Sequence, residues 1–217
     1  MEPTQRCFEL LQAGDMDGLR QLLEQDLAAS DARDTNGVSL LMHCLYRGRR
    51  DLAQLIAGKK TKTLDIFEAT SLGNLGRLKE CVGDKALINS HSGDGFTALH
   101  FACFFAQPEA ARILIDAGAA VDAVAANPMQ VMPLHSAASA RNLEAARLLL
   151  EHGAPVNARQ QGGWAPIHAA AQNGDRPMID LLLKHKADSN MANDAGRTPA
   201  MVAREKGHEE IAALLER

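Results

Sequence analysis

The sequence has few aromatic residues: its 217 positions hold six phenylalanines, one tyrosine and one tryptophan. It also lacks long hydrophobic runs, since none approaches the roughly 18 apolar residues of a membrane-spanning helix. Its first residues have neither the basic nor the apolar part of a secretory signal. The net charge is only −4, which argues against a surface built to bind nucleic acid or an anionic membrane. These absences predict a soluble cytoplasmic protein without a nucleic-acid or membrane partner.

Cysteine is also scarce, and its four positions are scattered. Cys7, Cys44, Cys81 and Cys103 form neither a C-x-x-C pair nor a tight cluster. We therefore expect no disulfide scaffold and no structural zinc site, and a reducing compartment fits this usage.

Internal repetition is the strongest feature of the sequence. Four segments align with one another: T-A-L-H-F-A-C (97–103), M-P-L-H-S-A-A (132–138), A-P-I-H-A-A-A (165–171) and T-P-A-M-V-A-R (198–204). Their fourth positions are His100, His135, His168 and Met201, at steps of 35, 33 and 33 residues, and the column continues upstream through Phe67, Met42 and Phe8. In five units a glycine follows this aligned position by six residues: Gly14, Gly48, Gly73, Gly174 and Gly207. Ala106 and Arg141 take its place in the other two.

This pattern resembles the ankyrin repeat, with its 33-residue period and T-P-L-H-x-A signature. In each unit we expect a first helix that begins near the T-P-L-H segment and ends at the glycine, then a second helix with a leucine pair. The resemblance implies an all-α repeat solenoid of seven stacked helix-turn-helix units joined by short β-hairpin fingers. The predicted units of this single domain (1–217) are approximately 4–33, 34–58, 59–89, 90–122, 123–157, 158–190 and 191–217.

Two departures from the period stand out. The step between units two and three is 25 residues, and K-K-T-K-T (Lys59–Thr63) stands where a finger is expected. This predicts a local kink or gap in the stack; a split into two domains is the less favoured alternative, because so few repeats are marginally stable alone. Unit five has two extra residues around Asn127–Gln130.

The histidines do not form a metal or catalytic site. His100, His135 and His168 recur once per unit, about 10 Å apart, which is too far for a shared ion. The resemblance implies instead that each ring hydrogen-bonds the backbone. Cys44, Cys81 and Cys103 fall on packing positions, and no nucleophile or phosphate-loop motif is present. We therefore expect no enzyme activity, no cofactor and no metal.

One basic cluster combines Lys59, Lys60 and Lys62 with Arg47, Arg49 and Arg50. We interpret it as a solvated loop beside a helix end. The alternative is a docking point for an acidic segment of a partner.

The aromatic residues carry the functional prediction. In ankyrin-like stacks a few finger and first-helix positions face a concave groove, and here they hold Tyr46, Phe96, Phe104, Phe105 and Trp164; Phe8, Phe67 and Phe101 belong to the framework. We predict that Phe96, Phe104, Phe105 and Trp164 anchor a protein partner, with Tyr46, Arg47, Gln172 and Asn173 toward the rim. The alternative is that Phe104 and Phe105 pack against the neighbouring finger.

The predicted function is non-catalytic protein–protein recognition by a monomeric scaffold whose partner is unidentified. The alternative is a structural or self-associating module that acts as a subunit of a larger assembly.

Overall fold

A computed structural model describes residues 3–216, and this part of the chain is helical apart from turns and loops. The α-helices are, in chain order, α1 (Pro3–Ala13), α2 (Met16–Gln25), α3 (Leu40–Tyr46), α4 (Arg50–Lys59), α5 (Ile66–Leu72), α6 (Leu75–Cys81), α7 (Lys85–Ile88), α8 (Ala98–Phe104), α9 (Pro108–Asp116), α10 (Pro133–Ser139), α11 (Leu143–Glu151), α12 (Pro166–Gln172), α13 (Arg176–Lys184), α14 (Pro199–Glu205) and α15 (Glu209–Leu215). Short 3-10 turns cover Leu27–Asp31 and Gln161–Gly163. None of the helices described is long and apolar enough to cross a membrane.

The local sequence explains each helix pair, and α12 and α13 show how. Pro166 occupies the first turn of α12, where the missing N–H costs nothing. Gly174 then adopts a left-handed φ of +63° and reverses the chain. Asp175 begins α13, because its carboxylate accepts a hydrogen bond of 3.2 Å from the backbone N–H of Met178.

The turn that ends each first helix is left-handed, as the repeat phase predicts. Gly14, Gly48, Gly73, Gly174 and Gly207 all have φ values between +63° and +79°. Ala106 and Arg141, which replace glycine in the same position, are forced to φ values of +54° and +58°. A left-handed φ is unfavourable for a residue with a Cβ atom, so packing within the stack imposes this turn against the backbone preference of these two residues.

The helix pairs stack into two layers, which makes the fold an all-α repeat solenoid. In the first layer the first helices follow one another: α1 on α3, then α5, α8, α10, α12 and α14. In the second layer α2 contacts α4, and α6 is followed by α9, α11 and α13. Each pair buries its apolar faces against its neighbours, as expected for a repeat too small to hold a core alone.

The segments that we call finger loops are residues 32–39, 90–97, 123–132, 156–165 and 190–198. Each is a turn closed by two short backbone hydrogen bonds, for example 2.8 Å from the Ser92 N–H to the Phe96 carbonyl and 2.9 Å from the Gly95 N–H to the Ser92 carbonyl. Within residues 3–216 the backbone forms only isolated antiparallel bridges, Arg33 with Ser39 and His91 with Thr97. The finger loops therefore have the reversal expected of hairpins, but they are too short to form strands.

The buried apolar side chains form two clusters that meet at the short step. One cluster runs through α1 to α4, from Cys7 to Ile56, and the other from Ile66 to Leu215. Phe101, which lies in α8, belongs to the first cluster, and Leu64 and Phe67 pack against both. The first two helix pairs thus contact the rest of the stack through a few large side chains.

At the short step, an ion-pair network stands where a finger loop would lie. The Lys60 ammonium lies 3.1 Å from the Asp31 carboxylate and 3.2 Å from that of Glu68, and the Lys60 side chain is only 4% exposed. Glu68 is fully buried and forms a reciprocal cap with Asp65 at the start of α5. Arg33 pairs with Asp65 at 2.7 Å. These contacts join the 3-10 turn after α2 to the first turn of α5.

One member of the basic cluster that the sequence suggested, Lys60, is therefore not on an open surface. Lys60 pairs with Asp31 and Glu68, and Arg49 pairs with Asp51 at 2.9 Å. Arg50 donates a 2.7 Å hydrogen bond to the Leu72 carbonyl. The prediction of a solvated patch is wrong for Lys60, because the carboxylates of Asp31 and Glu68, distant in sequence, face it in the fold. Arg50 and Lys62 are exposed as predicted, and Arg49 is partly exposed.

Candidate partner-binding groove

The short step brings together two finger loops that a regular stack would separate. A Cβ atom at Gly93 would lie 2.0 Å from the carbonyl oxygen of Asn36, so only glycine permits this approach. Asn36 precedes α3 and Gly93 precedes α8, and the α5–α6 pair lies between them in the chain. Because no finger loop precedes α5, the loops on either side of it meet directly.

Tyr46 spans the same gap with its side chain. Its ring stacks on Phe105 with a centroid distance of 5.9 Å, and its hydroxyl donates a hydrogen bond to the Asp94 carboxylate. Burial, reinforced by the carboxylate of Asp94, raises the pKa of the Tyr46 hydroxyl, so it remains a donor at neutral pH. Tyr46 ends α3 and Phe105 directly follows α8, so this contact connects helix pairs that are not consecutive.

Phe101 is the centre of this aromatic cluster. It is 3% exposed, and four other rings lie within 6.4 Å of its centroid: Tyr46, Phe67, Phe96 and Phe105. The repeat pattern predicts that Phe101 belongs to the framework, and its burial in the structure agrees. No sequence pattern predicts that Phe101 contacts three of the residues expected to bind a partner, namely Tyr46, Phe96 and Phe105.

Phe104 and Phe105 behave differently, although they are adjacent. Phe105 is half-buried between Tyr46 and Phe101, so it packs as the alternative expected, but against helices α3 and α8 and not against the neighbouring finger loop. Phe104 meets Phe105 edge-on at 5.2 Å and leaves 48% of its surface exposed. Phe96 is half-buried against Phe101 and His100. Of these phenylalanines, Phe104 offers the most surface to another molecule.

Two cavities open beside one another along the first helices and the finger loops. The apolar pocket, of about 170 Å³, is lined by Tyr46, Phe96, His100, Phe101, Phe104, Met129 and Ser136. The polar chamber, of about 440 Å³, is lined by Met129, Ser139, Gln160, Gln161, Trp164, Ala169, Gln172 and Asn173. Met129 belongs to both, so the two cavities form one groove. Seven of the eight predicted site residues line it or contact its walls.

Trp164 and its neighbours form the far end of the groove. The Trp164 ring packs edge-on against His168 at 5.4 Å, and the Arg197 guanidinium lies 5.4 Å from its centroid. Gln172 is exposed. The Asn173 amide donates to the carbonyls of Ala138 and Ser139 at 3.3 and 3.2 Å, so its N–H groups already hold α10 and α12 together.

Arg47 lines neither cavity and, unlike Phe105, does not pack its side chain against the rings of the cavity walls. It is exposed, and its guanidinium donates a long 3.4 Å hydrogen bond to the His43 carbonyl in its own helix. It stands at the rim of the surface that carries Tyr46.

The three repeated histidines bind backbone, as the resemblance implied. In His100, His135 and His168, Nδ1 accepts a hydrogen bond from the backbone N–H three residues earlier, at 3.1–3.2 Å. Nε2 donates to a carbonyl of the next finger loop, such as that of Val131 at 3.0 Å from His100. Burial lowers the pKa of all three, for His100 to about 4. These neutral rings fasten each helix to the following loop.

The cysteines also occupy structural positions. All four are buried and free, and burial raises the pKa of each thiol. Across residues 3–216, no three or more histidine, cysteine, aspartate or glutamate side chains are arranged to hold a metal ion.

Met129 and Ser136 are lining residues that sequence reasoning missed. Met129 is 47% exposed and lies in the longer finger loop, where Gln130 adopts a φ of +51°. The two-residue excess in this loop was visible in the sequence, and it was the available signal for Met129. Ser136 had none, because serine also fits the small packing positions of a first helix.

A comparison with family models finds ankyrin repeats (three copies) at residues 66–160 and 134–216. A search of curated proteins finds no match to the chain.

Proposed function

Since the chain belongs to the ankyrin-repeat family, we propose that it is a non-catalytic module that holds a protein partner in its groove. Phe96, Phe104, Phe105 and Trp164 supply the apolar contacts, with Tyr46, Arg47, Gln172 and Asn173 toward the rim. The chain acts as a monomeric scaffold of seven repeat units with one finger lost. Its free, buried cysteines fit the reducing conditions of the cytoplasm.

The exposure of Phe104 and Met129 beside one apolar pocket is the observation that carries this proposal. Both side chains are nearly half exposed, and the pocket between them is lined mostly by aromatic carbon. Large apolar side chains next to a cavity with a polar rim are typical of the centre of a protein interface. Stacked helices present such a surface in a fixed shape, so little ordering cost accompanies binding.

A photo-crosslinking experiment tests the proposal. A photoreactive phenylalanine analogue is placed at Phe104, or at Leu27 as the control, and the labelled proteins are illuminated in source-cell lysate. Leu27 is 52% exposed but lines neither cavity. We expect a protein crosslinked from position 104 and not from position 27. Once purified, that protein should bind the parent chain at least about tenfold more tightly than the Phe104→Glu variant, a difference of about 1.4 kcal/mol.

Equal labelling from both positions, or equal affinity of the variant, would show that the groove is not the binding surface. The alternative function, self-association as a subunit of an assembly, is favoured by the half-exposed Met201 in the last helix pair. Sedimentation of the pure protein distinguishes the two: a concentration-dependent dimer that Met201→Glu abolishes supports the alternative.

A further inference from the structure

The apolar pocket is a consequence of the missing finger loop. In a regular stack, successive first helices are about 8–10 Å apart, and each has its own finger loop beside it. Here no loop precedes α5, so Tyr46 reaches over α5 to Phe101, with ring centroids 6.4 Å apart. Tyr46 forms one wall of the pocket, while Phe101 and Phe104 of α8 form the others.

We propose that the apolar pocket takes one uncharged side chain of leucine, methionine or phenylalanine size from an extended partner segment. The polar chamber then takes the adjoining backbone of that segment. This inference rests on the proposed function and names the kind of sequence that the groove recognises.

The size of the pocket indicates the size of the occupant. Its volume is about 170 Å³. For comparison, an apolar protein cavity of about 150 Å³ admits benzene, which is the ring of a phenylalanine side chain. One large apolar side chain therefore fits, and an indole beside the same walls would be crowded.

The charge of the walls indicates the chemistry of the occupant. None of the residues that line the apolar pocket is acidic, lysine or arginine. The His100 ring is neutral, because Nδ1 accepts from the Thr97 N–H and Nε2 donates to the Val131 carbonyl. A charged side chain would lose its hydration here without a counter-charge, whereas an apolar one gains from burial.

The polar chamber complements a peptide backbone. It adjoins the apolar pocket at Met129 and is lined by the side chains of Gln160, Gln161, Gln172 and Ser139. Carboxamides and hydroxyls offer both donors and acceptors, which a bound backbone requires for its own N–H and C=O groups. Since these groups are uncharged too, added salt should have little effect on binding.

Amino-acid amides test this inference directly. The probes are N-acetyl-leucinamide, N-acetyl-phenylalaninamide and N-acetyl-lysinamide, titrated while the methyl resonance of Met129 is followed by NMR. We expect saturable, millimolar binding of the first two, and binding of the lysine probe weaker by at least about fivefold. Sodium chloride should leave the apolar affinities unchanged.

Two variants on one helix provide a matched control. Ser136 lines the apolar pocket, and Ser139, one turn later in α10, lines the polar chamber. Ser136→Met should fill the pocket and weaken the leucine probe at least about fivefold, whereas Ser139→Met should leave it within about twofold. Phe104→Ala removes an exposed wall of the pocket without opening the core, and it should also weaken binding of the leucine probe. This variant serves as the test if Ser136→Met does not fold.

Equal affinity for the lysine probe, no displacement of the Met129 resonance, or unchanged binding by Phe104→Ala would overturn the inference. These outcomes are separate from the crosslinking result. A partner captured specifically at position 104 without probe binding would retain the proposed function and remove the pocket as its anchor.

Discussion

The Lys60 ammonium and the Glu68 carboxylate lie 3.2 Å apart, with the Lys60 side chain 4% exposed and that of Glu68 fully buried. Burying two charges is costly, and their attraction offsets that cost only while both are present. Asp31 shares the same ammonium at 3.1 Å, so one lysine pairs with two carboxylates at the short step. The ion pairs therefore stabilise the contact between the turn after α2 and the start of α5, where a finger loop would otherwise lie.

Removing this lysine should destabilise the protein strongly. Lys60→Met leaves the Glu68 carboxylate with the Asp65 N–H and, as a cation, the more distant Arg33 at 3.9 Å, and we expect a loss of about 3 kcal/mol in the free energy of unfolding. Urea unfolding followed by circular dichroism measures it. Lys62→Met, at an exposed position two residues away, should change stability by less than about 0.5 kcal/mol. Similar losses for both variants would contradict the role of the buried pair.

Sequence periodicity predicted the features that depend on neighbouring residues. The helix starts, the left-handed turns and the histidine hydrogen bonds all follow from motifs within a unit and the loop after it. Lys60 and Lys62 look alike in the sequence, yet one is buried and the other exposed. Lys60 is buried because Asp31 and Glu68 approach it across the short step. No local sequence pattern predicts that approach.

The groove shows the same limit of prediction from local sequence patterns. The repeat phase selected Tyr46, Phe96 and Phe105 as groove residues, but Tyr46 reaches Phe101 and Phe105 only from a helix pair that is not consecutive with theirs. The sequence predicted a kink or gap at the short step. It could not show that two finger loops would meet there, because that contact requires Asn36 and Gly93 to come together over an intervening pair.

The left-handed Ala106 offers a stabilising substitution. With φ at +54°, Ala106 carries a side chain where five other units have glycine, so Ala106→Gly relieves backbone strain. Part of that gain is offset because glycine makes the unfolded chain more flexible, which leaves about 0.5–1 kcal/mol of added stability. Ala169→Gly, inside α12, is the control and should cost about 1 kcal/mol. Destabilisation by both changes would show that position 106 is not strained.

Acid should weaken the stack through its buried histidines. Burial lowers the pKa of His100 from 6.5 to about 4, so between these values the unfolded chain binds a proton that the folded chain does not. Stability therefore falls as pH decreases from about 6.5 to 4, by about 3 kcal/mol for this one residue. His135 and His168 act in the same direction, because burial lowers the pKa of each.

A methionine at the same position separates this effect from general acid sensitivity. Met201 occupies the equivalent place in the last unit, so we expect His100→Met to fold. Its free energy of unfolding should depend less on pH between 6 and 4.5, with a slope smaller by up to about 1.4 kcal/mol per pH unit. Urea unfolding across this range provides the comparison, with His152→Met, at an exposed position, as the control. An unchanged slope in His100→Met would mean that the ring is protonated in the folded state.

Phe101 should determine how firmly the first two helix pairs are held. It is the one fully buried aromatic ring that α8 contributes to the cluster formed by α1 to α4. Phe101→Ala should cost about 3–5 kcal/mol overall. Hydrogen exchange should lose more protection in α3 and α4 than in α12 and α13, because the second buried cluster lacks this ring. Phe8→Ala, within the first pair, is the comparison. If Phe101→Ala lowered protection equally along the whole chain, the two clusters would unfold as one unit and Phe101 would not be the link between them.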